Sequence, residues 1–282
     1  MQHPWPPIAP LRRSAYNRCR FADFNKTPAV LPTLSFQIQT IPDVQAIRQL
    51  YQLDGEIGEA DVADFVLQRC RAQSGSDFMP FHLHRVVAIA GVLQQDGCLS
   101  VIQRLAADPK DEAAMLADWL TLLRDSRARL VSWDGARLEL PVLRHRALAL
   151  GLPLAEQLRN GADAASHCAL SDALSGGHAE LATPLGELAR LCGLPGEADL
   201  NGPRRWELYR AGDSQALSDH NARQAASCHL LWLRQQWIDG ALDQAAHLNW
   251  QQSLRAAAAA LPHAHWRGWL ADWRGYDAAQ NR

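Results

Sequence analysis

The sequence predicts an α/β protein in which a sheet is flanked by helices, and three observations predict it. Strand patterns are concentrated in the first half of the chain. Helical patterns are interleaved with those strands. From residue 183 onward nearly every segment carries helical spacing instead.

Taken in order, residues 1–32 hold several prolines and the stretches "LRRSAYNRCR" and "NKTPAVLP", and read as an N-terminal arm, disordered at its start. Strand one is expected at 33–39, where apolar residues alternate before a proline turn. "DVQAIRQLYQL" (43–53) has helical apolar spacing, and "DGEIGEADVADFVLQRCRAQ" (54–73) gives a turn and a second helix. Residues 84–105 read as two β-branched runs joined by Asp96-Gly97, a hairpin signal. "DEAAMLADWLTLLRDS" (111–126) is a helix with acids in its first turn, where the dipole favours them. "RLVSWDG" (129–135) is a further strand, and "LPVLRHRALALGL" (140–152) a helix stopped by Gly151 and Pro153. Helices are expected at 184–194, 204–212, 215–237 and 251–261. The expected division is an arm at 1–32, a main domain at 33–238 and a Trp-rich helical extension at 239–282.

Composition narrows the function classes. A chain of 282 residues, 48% apolar and 21% charged, can bury a sizeable core. A net charge of −2 does not by itself point to nucleic acid. Lys occurs only at Lys26 and Lys110, an Arg bias that a GC-rich genome explains. The six cysteines are scattered with no Cys-x-x-Cys pair, which suits reduced thiols and a cytoplasmic setting. No apolar run approaches the roughly 20 residues of a membrane helix.

Strand one raises the functional question. "LSFQIQTIPD" (34–43) carries Gln37 and Gln39 two residues apart, on one face of a strand otherwise built for burial. Either they are polar residues of a solvent-facing side, or they stand at a site.

Four segments occur in order: "LSFQIQTIPD", "FMPFHLHRVVAIAGVL", "LVSWDGARLELPVLRHRALALGL" and "WELYRAGDSQALSDHNARQAASCHLLWLR". Together, over roughly 34–235, they resemble the predicted 3′–5′ exonucleases related to the proofreading domain of B-family DNA polymerases. That resemblance implies an RNase H-like (DnaQ-like) fold, a mixed sheet flanked by helices, here with a helical C-terminal extension. It also implies a chemistry of four carboxylates holding two Mg²⁺ or Mn²⁺ ions about 3.5–4 Å apart around the scissile phosphate.

Residue by residue, the resemblance assigns the two strand acids to Gln37 and Gln39. The second motif, usually "F-D-L-P", is "L-E-L-P" here and places Glu139 at the acid. "Y-C-E-T-D" falls on "H-N-A-R-Q", so the general base is His220 and the last acid Gln224. "H-x-D-L" falls on "HCAL", with Ala169 in place of an acid. Three of the four ligand positions are therefore neutral amides, and loss of both metal ions is the expectation, leaving no cofactor. The expected function is a pseudo-exonuclease that binds single-stranded DNA or RNA without hydrolysis. Arg137, Arg144, Arg223 and Trp133 are the candidate nucleic-acid contacts. The alternatives are a protein-interaction scaffold, and an active exonuclease using displaced acids such as Asp43, Asp134, Glu139 or Asp172.

Blander readings stand beside these. Glu139 also suits a surface helix-cap acid, and His220 a half-buried polar residue. Asp134, Asp172 and Asp219 suit turns and helix starts. "HLH" (82–84) and "HAH" (263–265) have no identifiable further ligands for zinc. Trp266, Trp269 and Trp273 lie on one helical face; core packing is the default, and a base-stacking platform beside Arg255, Arg267 and Arg274 the alternative.

Overall fold

The computed structural model describes residues 32–76, 78–159, 166–178, 181 and 183–274. The arm expected at 1–32 lies outside them apart from Pro32. β1 (Thr33–Pro42) leads into α1 (Val44–Tyr51) and α2 (Glu59–Ser74). β2 (His84–Gln95) and β3 (Cys98–Leu105) follow, then α3 (Glu112–Ser126), β4 (Arg129–Ser132), α4 (Glu139–Ala149), α5 (Glu156–Arg159), β5 (His167–Ala169) and α6 (Leu170–Ser175). Helices α7 (Leu185–Leu191), α8 (Gly202–Arg210), α9 (Ser214–Ile238), α10 (Gln244–Ala259) and α11 (His265–Ala271) complete the described elements.

The sheet order is β3-β2-β1-β4-β5. β1 pairs antiparallel with β2, and β2 with β3, whereas β1–β4 and β4–β5 are parallel. This is the mixed sheet of an RNase H-like exonuclease fold. Asp96 and Gly97 both take positive φ in the β2–β3 turn, the two-residue hairpin connection whose twist matches the strands.

β1 is central and buried on both faces. Its even residues Leu34, Phe36 and Ile38 pack with Trp119 and Leu123 of α3 and Leu140 and Leu143 of α4. Gly91 of β2 is required there, because a Cβ would lie 2.9–3.0 Å from Leu34 and Trp119. The odd face is covered by α9. Ala90 and Val92 of β2 join Ala222, Ala225, Ala226 and Cys228 of α9 in the second half of the core. Trp266, Trp269 and Trp273, each at most 5% exposed, belong to that same core. They are packing residues of α10–α11 against α9, and no base can stack on them as they stand.

β1 is three residues longer than 33–39 because its ladder with β2 continues past a bulge after Gln39, with Thr40 opposite Val86. Asp43 then caps α1, its carboxylate accepting from Ala46 N–H at 3.1 Å. β4 ends at Ser132, so Trp133, Asp134 and Gly135 lie in the following turn. The three-residue β5 was not expected, since it is too short for periodicity to register. No helix among the described residues is long and apolar enough to cross a membrane.

A buried ion cluster ties the end of β1 to α3 and α4. Arg146 donates to Asp43 at 2.7 Å and to both oxygens of Glu112 at 2.9 and 2.5 Å, and Val86 N–H donates to Glu112 at 2.8 Å. Removing the arginine would strand two buried carboxylates. Arg146→Met is therefore expected to lower unfolding free energy by about 3–5 kcal/mol. Arg204→Ala, which breaks only the exposed pair with Glu207, should change it by about 0.5 kcal/mol or less. Urea denaturation of both variants checks the contrast.

Candidate active site

The site is built where α9 crosses the odd face of β1. Period two puts Ser35, Gln37, Gln39 and Ile41 on that face. Ser35 Oγ and His229 Nδ1 share a buried hydrogen bond of 2.9 Å. Asn221 Nδ2 donates to the Gln37 carbonyl at 3.0 Å, and Leu217 packs with Ile41. The helix thus runs antiparallel to the strand, which brings residues 220–228 over Gln37 and Gln39. Opposite these two glutamines on β2 stand Ala90 and Ala88, both small, which leaves room for the amide side chains. Cys228 of α9 is fully buried beside this strand, and burial drives its thiol pKa upward. The solvent-facing reading of Gln37 and Gln39 does not hold: Gln39 is buried and Gln37 half-buried beneath α9.

Glu139 enters from the β4–α4 turn. Gly135 lets that turn close tightly, since a Cβ there would fall 1.8 Å from Ser132 Oγ. Ser132 in turn bonds His167 at 2.7 Å, and burial holds that histidine neutral, with its pKa down at about 4. Glu139 opens α4, yet it is only 2% exposed and is no surface cap. Burial pushes its pKa up to about 8, the charges of Asp134 and Asp199 add to the rise, and its own N–H and Arg205 oppose it.

A third segment, residues 195–199, brings acids that sequence reasoning missed. Gly186 of α7 and Gly196 allow direct backbone contact, since a Cβ on Gly186 would meet the Glu197 carbonyl at 1.7 Å. Ser227 of α9 donates to the Pro195 carbonyl at 2.8 Å, and Trp269 Nε1 donates to Ser227 at 3.2 Å. The C-terminal helices therefore brace the loop that faces the site. Glu197 lies 2.9 Å from His220 Nδ1 and also pairs with Arg223. Burial alone would raise its pKa, but those hydrogen bonds and charges bring it down to about 2. Gln224 Nε2 donates to Asp199 at 2.8 Å and lies 3.3 Å from His220 Nε2. Arg205 of α8 is within electrostatic reach of both Asp199 and Glu139. Burial lowers its pKa, and those acids oppose the drop.

Gln37, Glu139, His220, Gln224 and Arg223 thus gather in one region, with Gln39 one strand period further along β1. Arg137 stands at its rim, bonded to Asp172 at 2.6 Å and Asp134 at 3.3 Å. Arg144 turns instead to the Leu158 carbonyl at 2.8 Å, and Trp133 is buried among core residues. Asp219 points away from this centre, accepting from Gln103 at 3.0 Å and Gln215 at 2.7 Å. Ala169 is the N-cap of α6. The signals for Glu197, Asp199 and Arg205 were weak, because "GEADL" carries no period, the helical spacing of "RRWEL" does not say what Arg205 faces, and both lie some 160 residues beyond β1.

Several buried polar atoms here find no hydrogen-bond partner among the described residues: Gln37 Nε2, Gln39 Oε1, Glu139 Oε2, Asn221 Oδ1, Gln224 Oε1 and Arg205 Nε. No group of three or more His, Cys, Asp or Glu among the described residues is arranged to hold a metal ion. His220 is oriented by Glu197, whose carboxylate lies 2.9 Å from its Nδ1.

The raised Glu139 pKa makes a stability prediction. A carboxyl whose folded pKa exceeds its unfolded value stabilises the fold fully below the unfolded pKa. That contribution is lost as pH rises towards the folded value of about 8. Glu139→Gln should match the parent near the unfolded carboxyl pKa of about 4.3 and exceed it in melting temperature near pH 8. Equal pH profiles for the two proteins would show that Glu139 is not held neutral.

Comparison with curated proteins found no match to the chain. The family described as predicted 3′–5′ exonuclease related to the exonuclease domain of PolB matches residues 76–273, well over half of the sequence. The match takes in the Glu139 turn, the 195–199 loop and the whole of α9, and the chain belongs to this family of predicted 3′–5′ exonucleases related to the PolB exonuclease domain.

Proposed function

We propose that this exonuclease-family protein binds single-stranded nucleic acid without metal-dependent hydrolysis. The reading is supported by the residues to which the sequence resemblance assigns the family's four metal-ligand acids: Gln37 and Gln39, which lie before the matched residues 76–273, and within them Gln224 and a Glu139 whose carboxyl burial pushes towards its neutral form. Two divalent cations bring four positive charges. A unit charge pair a few ångströms apart is worth roughly 4 kcal/mol at an effective dielectric near 20. Three missing charges thus remove most of the attraction, and the Arg205 guanidinium adds repulsion from within. This donor set does not suit two Mg²⁺ or Mn²⁺ ions, so no catalytic step is assigned to them. What remains is a set of buried and half-buried amide donors and acceptors beside His220 and Arg223.

One set of contacts favours a second reading, a protein-interaction module that keeps only the fold. Arg137 and Arg223 are committed to Asp172 and Glu197, which leaves less positive charge for phosphates.

The purified protein is expected to release no nucleotides from single-stranded DNA in Mg²⁺ or Mn²⁺. It should bind short oligonucleotides with an affinity that falls steeply between about 50 and 200 mM salt. Fluorescence anisotropy checks the binding. No binding at low salt would favour the interaction module. Chelator-sensitive release of nucleotides, abolished by Glu139→Ala, would make the protein an active exonuclease.

A further inference from the structure

Past Gln39, the odd face of β1 continues through Ile41 and is covered there by α8. A small recess, partly open to solvent, lies between the end of β1, the starts of α1 and α2, and α8. Arg85 of β2 and Trp206 and Tyr209 of α8 form one side of it, and Asp43 and Glu59 line it as well.

Arg85 is 5% exposed, and its Nη1 has no hydrogen-bond partner among the described residues. Its guanidinium sits 4.8 Å over the Tyr209 ring, and no carboxylate of the described residues pairs with it. Asp43 is committed to Arg146 at 2.7 Å and to Ala46 N–H at 3.1 Å. Glu59 is exposed at the start of α2. Trp206 is buried too, stacked on Tyr209 at 5.7 Å, and its indole N–H likewise has no partner. A buried guanidinium without a carboxylate is costly, and a ring face compensates only in part. Two donors, one of them charged, belong to residues that line the recess, and of its two acids Asp43 is held by Arg146, which it shares with Glu112. The group that completes them carries several acceptor oxygens and negative charge. A guanidinium fork matches a phosphate in that way.

We propose that this recess is a phosphate-group site in which Arg85 and the Trp206 N–H are the donors and Tyr209 holds both in place. The shared chemistry is the phosphate group, whether free or at the end of an oligonucleotide. The site stands independently of nucleic-acid binding at the neighbouring centre.

Isothermal titration of the full chain tests this with three probes: inorganic phosphate, a trinucleotide phosphorylated at one end, and its unphosphorylated twin. The parent is expected to bind a phosphate-bearing probe saturably. Arg85→Met should weaken that binding at least about tenfold and Trp206→Phe about threefold to tenfold, with far-UV circular dichroism unchanged. Glu59→Gln should strengthen it by relieving repulsion at the mouth. Binding of both phosphate-bearing probes identifies free phosphate as sufficient, and binding of the phosphorylated trinucleotide alone identifies a chain end. If Arg85→Met does not fold, Trp206→Phe and Glu59→Gln decide. No saturable binding of either phosphate-bearing probe, or binding unchanged in the folded variants, overturns the proposal. A trinucleotide that binds equally with and without its phosphate, and equally to Arg85→Met, would overturn it while leaving nucleic-acid binding at the centre intact.

Discussion

The placement of α9 on β1 is the constraint on which the rest of the structure depends. Two hydrogen bonds fix it, the buried one between Ser35 and His229 and the partly buried one from Asn221 to the Gln37 carbonyl. Both α9 residues are fully buried, so a slide of the helix by one turn would strand polar groups where water cannot reach them. Burial holds His229 neutral, with its pKa down at about 3, so this link is a neutral hydrogen bond throughout the physiological range. Because the helix is locked, His220 and Gln224 can only stand over the strand that carries Gln37 and Gln39. The geometry of this candidate site is thus maintained by residues at its edge, Ser35, His229 and Asn221.

The second layer of support comes from outside the sheet. α7 presses its backbone at Gly186 against the 195–199 loop, and Ser227 holds the same loop from α9. Trp269 then bonds Ser227, which ties the C-terminal helices to the wall of the centre. Glu197 and Asp199 reach His220 and Gln224 only because this loop is held on both sides. The Trp-rich helices therefore serve the site through packing. The charges around it are balanced within the protein, with Arg223 against Glu197 and Arg205 near Asp199 and Glu139.

Much of this was legible in the sequence, for identifiable reasons. Alternation in "LSFQIQT" marks β1 and its two faces, and Asp96-Gly97 marks the hairpin, because local backbone sterics decide both. The grouping of Gln37, Glu139, His220 and Gln224 was legible only through resemblance, since no local rule relates residues a hundred or more positions apart. Glu197 and Asp199 escaped notice because their roles arise from a glycine-mediated contact between α7 and a loop, and Arg205 because only the fold brings α8 within reach of Asp199 and Glu139. Whether Glu139 is exposed or buried also depends on tertiary packing, and helix-start composition pointed to the surface. The Trp stripe was read correctly as core because its 3-4 spacing is a local signal.

The central claim is that neutral side chains occupy a framework shaped for metal-binding acids. It is tested most directly by restoring those acids in the folded protein. Gln37→Asp, Gln39→Glu, Gln224→Asp and Glu139→Asp should together crowd like charges at one place and lower the melting temperature in chelator. Mg²⁺ or Mn²⁺ should recover that loss by binding only the folded state, with no comparable response in the parent. An equal metal response in parent and quadruple variant, or none in either, would contradict the account.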